Sequence, residues 1–195
     1  MKKVMIVFAA CSLCLGTVGF ADHHENGESQ EGHAPTEAGM PPMGPPEQIK
    51  EIEGMNGEYE VKFYYKMDPA SEEWIETPAT AVVSMVAGGA AQQLLYEGEM
   101  MGMPFRGLGL TTYDRETGKW QMTWIDSMGA RTSTYTGDFE DGMLVVEGED
   151  KGQGMTFQSR LTTYNITDEG YDWKYEMSTD GTSFIEGAKA TYRKK

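Results

Sequence analysis

All three histidines of the chain lie near its amino terminus, where His23 and His24 follow Asp22 and His33 lies further along. If the chain is cleaved after Ala21, His24 becomes the third residue from a free amine. That amine, two deprotonated backbone amides and the His24 imidazole form the square-planar nitrogen set that Cu(II) and Ni(II) favour. We therefore predict a copper or nickel site at the mature amino terminus, which His23 and His33 could assist. The alternative is a polar, unstructured amino terminus whose histidines bind no metal.

The rest of the chain lacks residues that much of enzyme chemistry requires. No histidine lies between residues 47 and 195, which excludes from that part a Ser-His-Asp triad, a His-ligated haem and a multi-His zinc site. Both cysteines, Cys11 and Cys14, precede the expected cleavage site, so the mature chain would hold no disulfide or thiolate. We expect no cofactor in this part, and acid–base work would fall to carboxylates, Tyr or Lys.

Three aspartates, Asp114, Asp126 and Asp138, recur beside turn sequences. Paired carboxylates can act as the acid and base of glycosidic or isomerase chemistry. An aspartate at the start of a turn also caps backbone N–H groups without any catalytic role. We interpret all three as turn caps.

Aromatic residues and two arginines are the candidate ligand contacts. Aromatic side chains on the predicted strands either fill the interior of the sheet or line a pocket there. The arginines could meet an anionic head group, although a solvent-facing arginine is the alternative for each. The residues that we expect at the interior or rim are Tyr96, Phe105, Arg106, Trp124, Arg131, Tyr135 and Tyr175.

Methionines cluster in the run Met100-Met101-Gly102-Met103, and Met40 and Met43 precede it. Thioether sulfur is a soft-metal ligand, so this run could bind a soft metal. Methionine also fills irregular gaps in packed structure, and we favour a packing or rim role.

The first 21 residues are typical of a secretory signal peptide. Lys2 and Lys3 begin it, the apolar or small residues 4–20 follow, and Gly19-Phe20-Ala21 matches a small-x-small cleavage site. We therefore expect cleavage after Ala21 and a periplasmic or secreted protein. The alternative is lipidation at Cys11, because Phe8-Ala9-Ala10-Cys11 is similar to a lipidation box.

The chain is strongly acidic, with a formal net charge of −15. Such a surface repels phosphate backbones and anionic lipid, which argues against nucleic acid or a membrane surface as partner. The apolar stretch at the amino terminus is shorter than the roughly 20 residues that a helix needs to span a bilayer, so we do not expect an integral membrane protein.

Composition divides the mature chain into two parts. Residues 22–46 are rich in Glu, Gly, His and Pro and hold few large apolar residues, so we predict a disordered leader there. From Glu47 to Asn56 the helical spacing of Ile49, Ile52 and Met55 predicts one short helix. Residues 47–195 then form the folded domain.

Beyond the helix the apolar residues alternate with period two. In β-strands that pattern places one apolar face against a core. Tight turns at near-regular spacing indicate an antiparallel up-and-down meander, and ten strands would curl and close to remove exposed edges. The predicted strands are Glu58–Lys66, Thr77–Ala87, Gln92–Met100, Phe105–Tyr113, Lys119–Asp126, Arg131–Gly137, Met143–Glu149, Thr156–Asn165, Tyr171–Ser178 and Gly187–Arg193. The fold class is therefore all-β, with one short amino-terminal helix.

Several motifs in this order and spacing resemble those of the DUF1579 family. They are Gly98 to Gly107 (GEMMGMPFRG), Tyr113-Asp114, Trp124 to Ser127 (WIDS), Gly137-Asp138 and the closing Tyr192-Arg193-Lys194. The family comprises bacterial proteins of unknown function, often exported. The resemblance implies a lipocalin-like (calycin-type) barrel from about Glu47 to the end of the chain, and it implies no catalytic residue.

Three functions remain open. We favour a non-enzymatic envelope protein whose barrel binds a small apolar or amphipathic molecule, because an aromatic-rich barrel without His or Cys suits binding better than turnover. The alternatives are an enzyme that uses Tyr, Asp and Arg in the barrel, and a metal-handling protein that uses the histidine leader. The sequence leaves the oligomeric state undetermined.

Overall fold

A computed structural model describes residues 44–152 and 154–195, and ten strands account for most of them. The signal peptide, Cys11, most of the leader, and the proposed metal ligands His23 and His24 lie outside the described residues. The strands are β1 (Gly57–Tyr65), β2 (Ile75–Val86), β3 (Ala91–Met100), β4 (Met103–Asp114), β5 (Lys119–Asp126), β6 (Ser133–Glu140), β7 (Met143–Gly152), β8 (Met155–Thr167), β9 (Gly170–Ser178) and β10 (Ile185–Lys194).

Each strand pairs antiparallel with the next, and β10 returns to pair with β1. The closing register runs from Tyr59 opposite Lys194 to Tyr65 opposite Ala188. The sheet is therefore a closed ten-stranded barrel, which leaves no unpaired strand edge. This confirms the all-β meander predicted from the alternation.

The alternation in β1 shows how the sequence divides inside from outside. Tyr59, Val61, Phe63 and Tyr65 are buried, whereas Glu58, Glu60 and Lys62 are exposed. Since successive side chains of a strand point to opposite faces, the first set lies in the barrel interior. The same alternation determines which side chains of the other strands face the barrel interior.

A short helical segment covers the end of the barrel at which β1 begins. It consists of a 3-10 turn (Glu47–Ile49) and α1 (Lys50–Glu53), and its apolar residues Ile49, Ile52 and Met55 are buried. The hydroxyl of Tyr59 donates to the Met55 carbonyl at 2.6 Å. The Gln92 amide donates to the Ile52 carbonyl at 2.7 Å. Buried donors on β1 and β3 thus satisfy the carbonyl groups at the end of the helical segment.

The helical segment is shorter than the predicted Glu47–Asn56, because Gly54 already forms the carboxyl-terminal cap of α1. The chain just before it also contacts the barrel. Pro46 is buried, and the Arg115 guanidinium donates to the Gly44 carbonyl at 2.6 Å. The last residues of the segment that we assign to the leader therefore pack on the barrel.

Two of the three predicted turn caps are present. Asp114 Oδ1 accepts the Glu116 N–H at 2.9 Å, and Asp126 Oδ1 accepts the N–H groups of Met128 and Gly129 at 2.9 and 2.7 Å. These contacts are the local hydrogen bonds that favour aspartate at turns.

The interpretation of Asp138 as a turn cap is wrong. Strand β6 continues to Glu140, and the turn that follows it uses Asp141 and Gly142, both with positive φ. Asp138 is a strand residue that pairs with Lys119 on β5 at 2.7 Å. Phe139, between Asp138 and Glu140, packs on the core against Trp120, so the strand continues beyond its predicted end at Gly137.

In the described part of the chain, no helix has the length and apolar character needed to cross a membrane.

Candidate functional site

The interior of the barrel holds a cavity of about 270 Å³. Ile52 and Met55 of the helical segment lie at one end of it, and Asp126, Met128 and Arg131 lie at the other. Between them the lining is largely aromatic. The aromatic side chains of the lining are Phe63, Tyr65, Tyr96, Phe105, Trp124, Tyr135, Phe157, Tyr171, Trp173, Tyr175 and Tyr192.

The aromatic lining is an ordered set of ring contacts centred on Tyr96. The Tyr96 ring packs edge-on against Phe63, Phe105 and Trp124, with ring centroids 6.2, 5.8 and 6.5 Å apart. Edge-to-face pairs are the arrangement that aromatic quadrupoles favour. Burial raises the pKa of the Tyr96 hydroxyl, so the ring stays neutral. The rings form a largely apolar wall that remains uncharged.

Trp124 is held at the wall by a hydrogen bond and by a glycine. Its indole Nε1 donates to Asp126 Oδ2 at 3.0 Å. A Cβ placed at Gly107 on the neighbouring strand would overlap the Cη2 and Cζ2 atoms of Trp124. Gly107 therefore has a packing role, because its missing side chain leaves the space that the indole occupies.

One wall of the cavity is polar and is built around Asp150 on β7. Only 7 % of Asp150 is exposed. Ser133 Oγ donates to Asp150 Oδ1 at 2.6 Å, and the hydroxyls of Tyr135 and Tyr175 donate to Oδ2 at 2.8 and 3.2 Å. The Tyr175 hydroxyl also lies 2.9 Å from Ser159 Oγ. We call Asp150, Ser133, Tyr135, Tyr175 and Ser159 the Asp150 cluster.

The tyrosines of the Asp150 cluster remain protonated over a wide pH range. Burial is the main cause that raises the pKa of Tyr135 and of Tyr175, and the charge of Asp150 raises both further. A protonated phenol donates to a carboxylate, whereas a phenolate would repel it. The two neutral phenols are therefore the donors in their hydrogen bonds to Asp150.

The rim opposite the helical segment carries the cations nearest to the cavity mouth. Arg131 is exposed and donates to the Lys151 carbonyl at 2.7 Å. The Lys66 ammonium lies over the ring of Trp74, 4.7 Å from its centroid. Both cations thus have partners at the rim.

The structure brings six of the seven predicted ligand contacts to one cavity. Tyr96, Phe105, Trp124, Arg131, Tyr135 and Tyr175 all line it.

Arg106 does not line this cavity. It points outward between the inward positions Phe105 and Gly107, and it pairs with Glu97 on β3 at 3.3 Å. Arg131 lies in the loop between β5 and β6, whereas Arg106 is on β4. The expectation that the two arginines face one ligand head group is therefore not met.

Sequence reasoning missed Asp150, Ser133 and Ser159. Period two along β7 runs through Leu144, Val146 and Gly148 to Asp150, so the pattern did place the carboxylate inside. The predicted strand, Met143–Glu149, ended one residue before Asp150, whereas β7 extends to Gly152. No comparable pattern in the sequence indicated that Ser133 and Ser159 belong to the site.

No metal centre is found among the described residues, where no group of three or more His, Cys, Asp or Glu side chains could hold an ion. The methionine run packs in part as predicted. Met100 lines the cavity, Met101 packs on the core and donates its backbone N–H to the Tyr65 hydroxyl at 3.1 Å, and Met103 is 49 % exposed.

Comparison with known proteins gives a family and a fold. The model of a family described as "Protein of unknown function (DUF1579)" matches residues 45–194. Among solved structures, the chain is similar to the S-type phycobiliprotein lyase CPES from Guillardia theta, with a TM-score of 0.51 and 11 % identity. That match covers 75 % of this chain and 91 % of the lyase chain, and at this identity it shows the fold alone. No curated protein gave a significant match.

Proposed function

The chain belongs to the DUF1579 family, whose function is unknown, and we propose that its barrel binds one small apolar or amphipathic molecule without transforming it. The observation that carries the proposal is the aromatic-lined cavity inside a closed barrel. Binding sites are typically concave, mostly apolar and equipped with a few placed polar groups. The rings around Tyr96 and the Asp150 cluster match that description.

The cavity follows from the size of the barrel. About eight strands enclose an interior that side chains just fill or that holds one small ligand, and the diameter grows with strand number. Ten strands are present here, and a cavity of about 270 Å³ remains beside large aromatic side chains. That volume is close to the lower end, roughly 300 Å³, of typical small-molecule sites.

A binding role accords better with the Asp150 cluster than catalysis does. An enzyme would need Asp150 as a base or a tyrosine as an acid. Three hydroxyls already donate to Asp150, and burial raises the pKa of Tyr135 and Tyr175 away from neutral pH. The two phenols are therefore not poised to release a proton at neutral pH, and the Asp150 carboxylate is already occupied by three hydroxyl donors. The likeness to the phycobiliprotein lyase supports the barrel as a scaffold and adds no chemistry to this chain.

The proposal includes the location of the protein. The charged start, the apolar stretch and the small-x-small site before Asp22 support export and cleavage after Ala21. We propose that the mature protein works in the periplasm or outside the cell. Sequencing the amino terminus of protein from its own host tests this, since a start other than Asp22 would contradict it.

Native mass spectrometry of the protein purified from its own host tests the binding role. We expect a species heavier than the chain by one small-molecule mass, which is lost on denaturation and identified in the organic extract. Protein that is free of added mass, and that takes up no apolar compound afterwards, would instead indicate a barrel with a purely structural role.

A further inference from the structure

Asp150 is a buried carboxylate whose contacts are all neutral. Burial of a charged group is costly unless it is paired or hydrogen-bonded. Three hydroxyls donate to it, but no Lys or Arg nitrogen of the described residues lies within ion-pair distance of it. The Asp150 carboxylate is thus hydrogen-bonded, but it forms no ion pair with a Lys or Arg of the described residues.

Among the described residues, no cationic side chain around the cavity forms an ion pair with Asp150. Arg131 is exposed and donates to a backbone carbonyl, and Lys66 lies over the Trp74 ring. Lys151 is among the residues that line the cavity, but it is exposed, and its side chain leaves the strand on the face opposite to that of Asp150. The other lining carboxylate, Asp126, is only half-buried, and two of its three donors are backbone N–H groups of the turn that it caps.

The carboxylate of Asp150 retains capacity for one more donor. An ionised carboxyl group has about four lone-pair sites. Tyr135 and Tyr175 both donate to Oδ2, whereas Ser133 alone donates to Oδ1. Oδ1 is therefore the atom that can accept a further N–H.

The rings around Asp150 favour the same kind of group. The faces of aromatic rings carry negative electrostatic potential and attract cations, most strongly where water is excluded. Tyr135, Tyr175, Trp124 and Trp173 all line the cavity that Asp150 faces. The net charge of −15 would also raise the local concentration of a cationic ligand.

We propose that the molecule bound in the cavity is a cationic amphiphile, with an apolar body against the aromatic lining and a protonated amine that donates to Asp150. This inference rests on the proposed binding function and specifies its ligand class. Arg106 and Arg131 suggested a ligand with an anionic head group, whereas the buried Asp150 carboxylate favours a cationic one.

Isothermal titration calorimetry with three probes of one shape tests the proposal. The probes share a naphthalene body and differ in the group attached: 1-naphthylmethylamine is cationic at neutral pH, 1-naphthalenemethanol is neutral and 1-naphthoic acid is anionic. We expect the amine to bind at least about tenfold more tightly than the alcohol, and the acid to bind more weakly than both, because a desolvated charge pair discriminates strongly.

Asp150→Asn provides the second arm, since it keeps the shape of the side chain and removes its charge. We expect the variant to lose the preference for the amine and to bind the alcohol about as wild type does. Tight binding of the acid or the alcohol, or a preference for the amine that survives in folded Asp150→Asn, would overturn the inference and leave the binding function standing. Binding of none of the probes would overturn both. If Asp150→Asn does not fold, the wild-type comparison still decides.

Discussion

The hydroxyl of Tyr135 on β6 lies 2.8 Å from Asp150 Oδ2 on β7, inside the barrel. A glycine makes this contact sterically accessible. A Cβ at Gly148, two residues before Asp150, would lie 2.8 Å from Cδ1 of the Tyr135 ring. The ring therefore packs over the bare backbone of β7, and its hydroxyl reaches the next inward position of that strand.

Removing the Tyr135 hydroxyl should destabilise the fold. Hydrogen bonds to charged groups contribute roughly 1.5–3 kcal/mol, and Tyr135→Phe leaves the buried carboxylate with one donor fewer. We expect the free energy of unfolding, measured by urea denaturation, to fall by about 1–3 kcal/mol. Tyr113→Phe is the matched control, because the ring contact with Trp120 persists without its hydroxyl. Equal losses in the two variants would contradict the assigned hydrogen bond.

Gly107→Ala should displace the indole of Trp124, since the new methyl group would overlap the ring. We expect a shifted tryptophan emission and a loss of stability of about 1–3 kcal/mol, as for overpacked cores. Gly109→Ala is the control, because a Cβ there would meet Trp124 only at 3.4 Å. If Gly107→Ala resembles wild type in emission and stability, the indole does not occupy this space.

Alkaline pH should unfold the barrel through its buried tyrosines. Burial raises the pKa of Tyr59 to about 12, and it is the main cause that also raises the pKa of Tyr96, Tyr171 and Tyr192. In the unfolded chain tyrosine ionises near pH 10. The folded state thus retains protons that the unfolded state releases, so stability falls as the pH rises from about 10 to about 12.

Phenolate absorbance and circular dichroism followed together against pH test this. The two transitions should coincide for most of the tyrosine signal. Complete ionisation near pH 10 with unchanged circular dichroism would contradict the burial of these hydroxyls.

The strands could be predicted from the sequence because their signals are local. The alternation of Tyr59, Val61, Phe63 and Tyr65, and turn residues such as Asp114 and Gly118, each act within a few residues. The number of predicted strands and the family resemblance both indicated closure, and the pairing of β1 with β10 confirms it.

The polar part of the site could not be predicted in the same way. Asp150 and Arg106 are both charged residues on strands, yet one is buried and the other is exposed. What separates them is the register of each strand and the hydroxyls that neighbouring strands supply. Those hydroxyls come from β6 and β9, and no local pattern brings them together.

The mature amino terminus should bind one Cu(II) if processing exposes Asp22. The free amine, two backbone amides and the His24 imidazole would give a visible absorption band near neutral pH with one equivalent of copper. His24→Ala, or acetylation of the amine, should abolish the band. His33→Ala is the control and should leave it intact. Equal copper binding by the acetylated protein would contradict this site.

Titration with an environment-sensitive apolar dye tests most directly whether the barrel holds a ligand in its cavity. Two adjacent residues of β3 allow a matched comparison, because Leu94 lines the cavity whereas Leu95 is 45 % exposed on the outside. We expect saturable binding of about one dye per wild-type chain. Leu94→Trp should weaken binding at least tenfold, because its ring would fill the cavity, whereas Leu95→Trp should alter binding by less than about twofold. Absence of saturable binding, or equal weakening in the two variants, would contradict binding in this cavity.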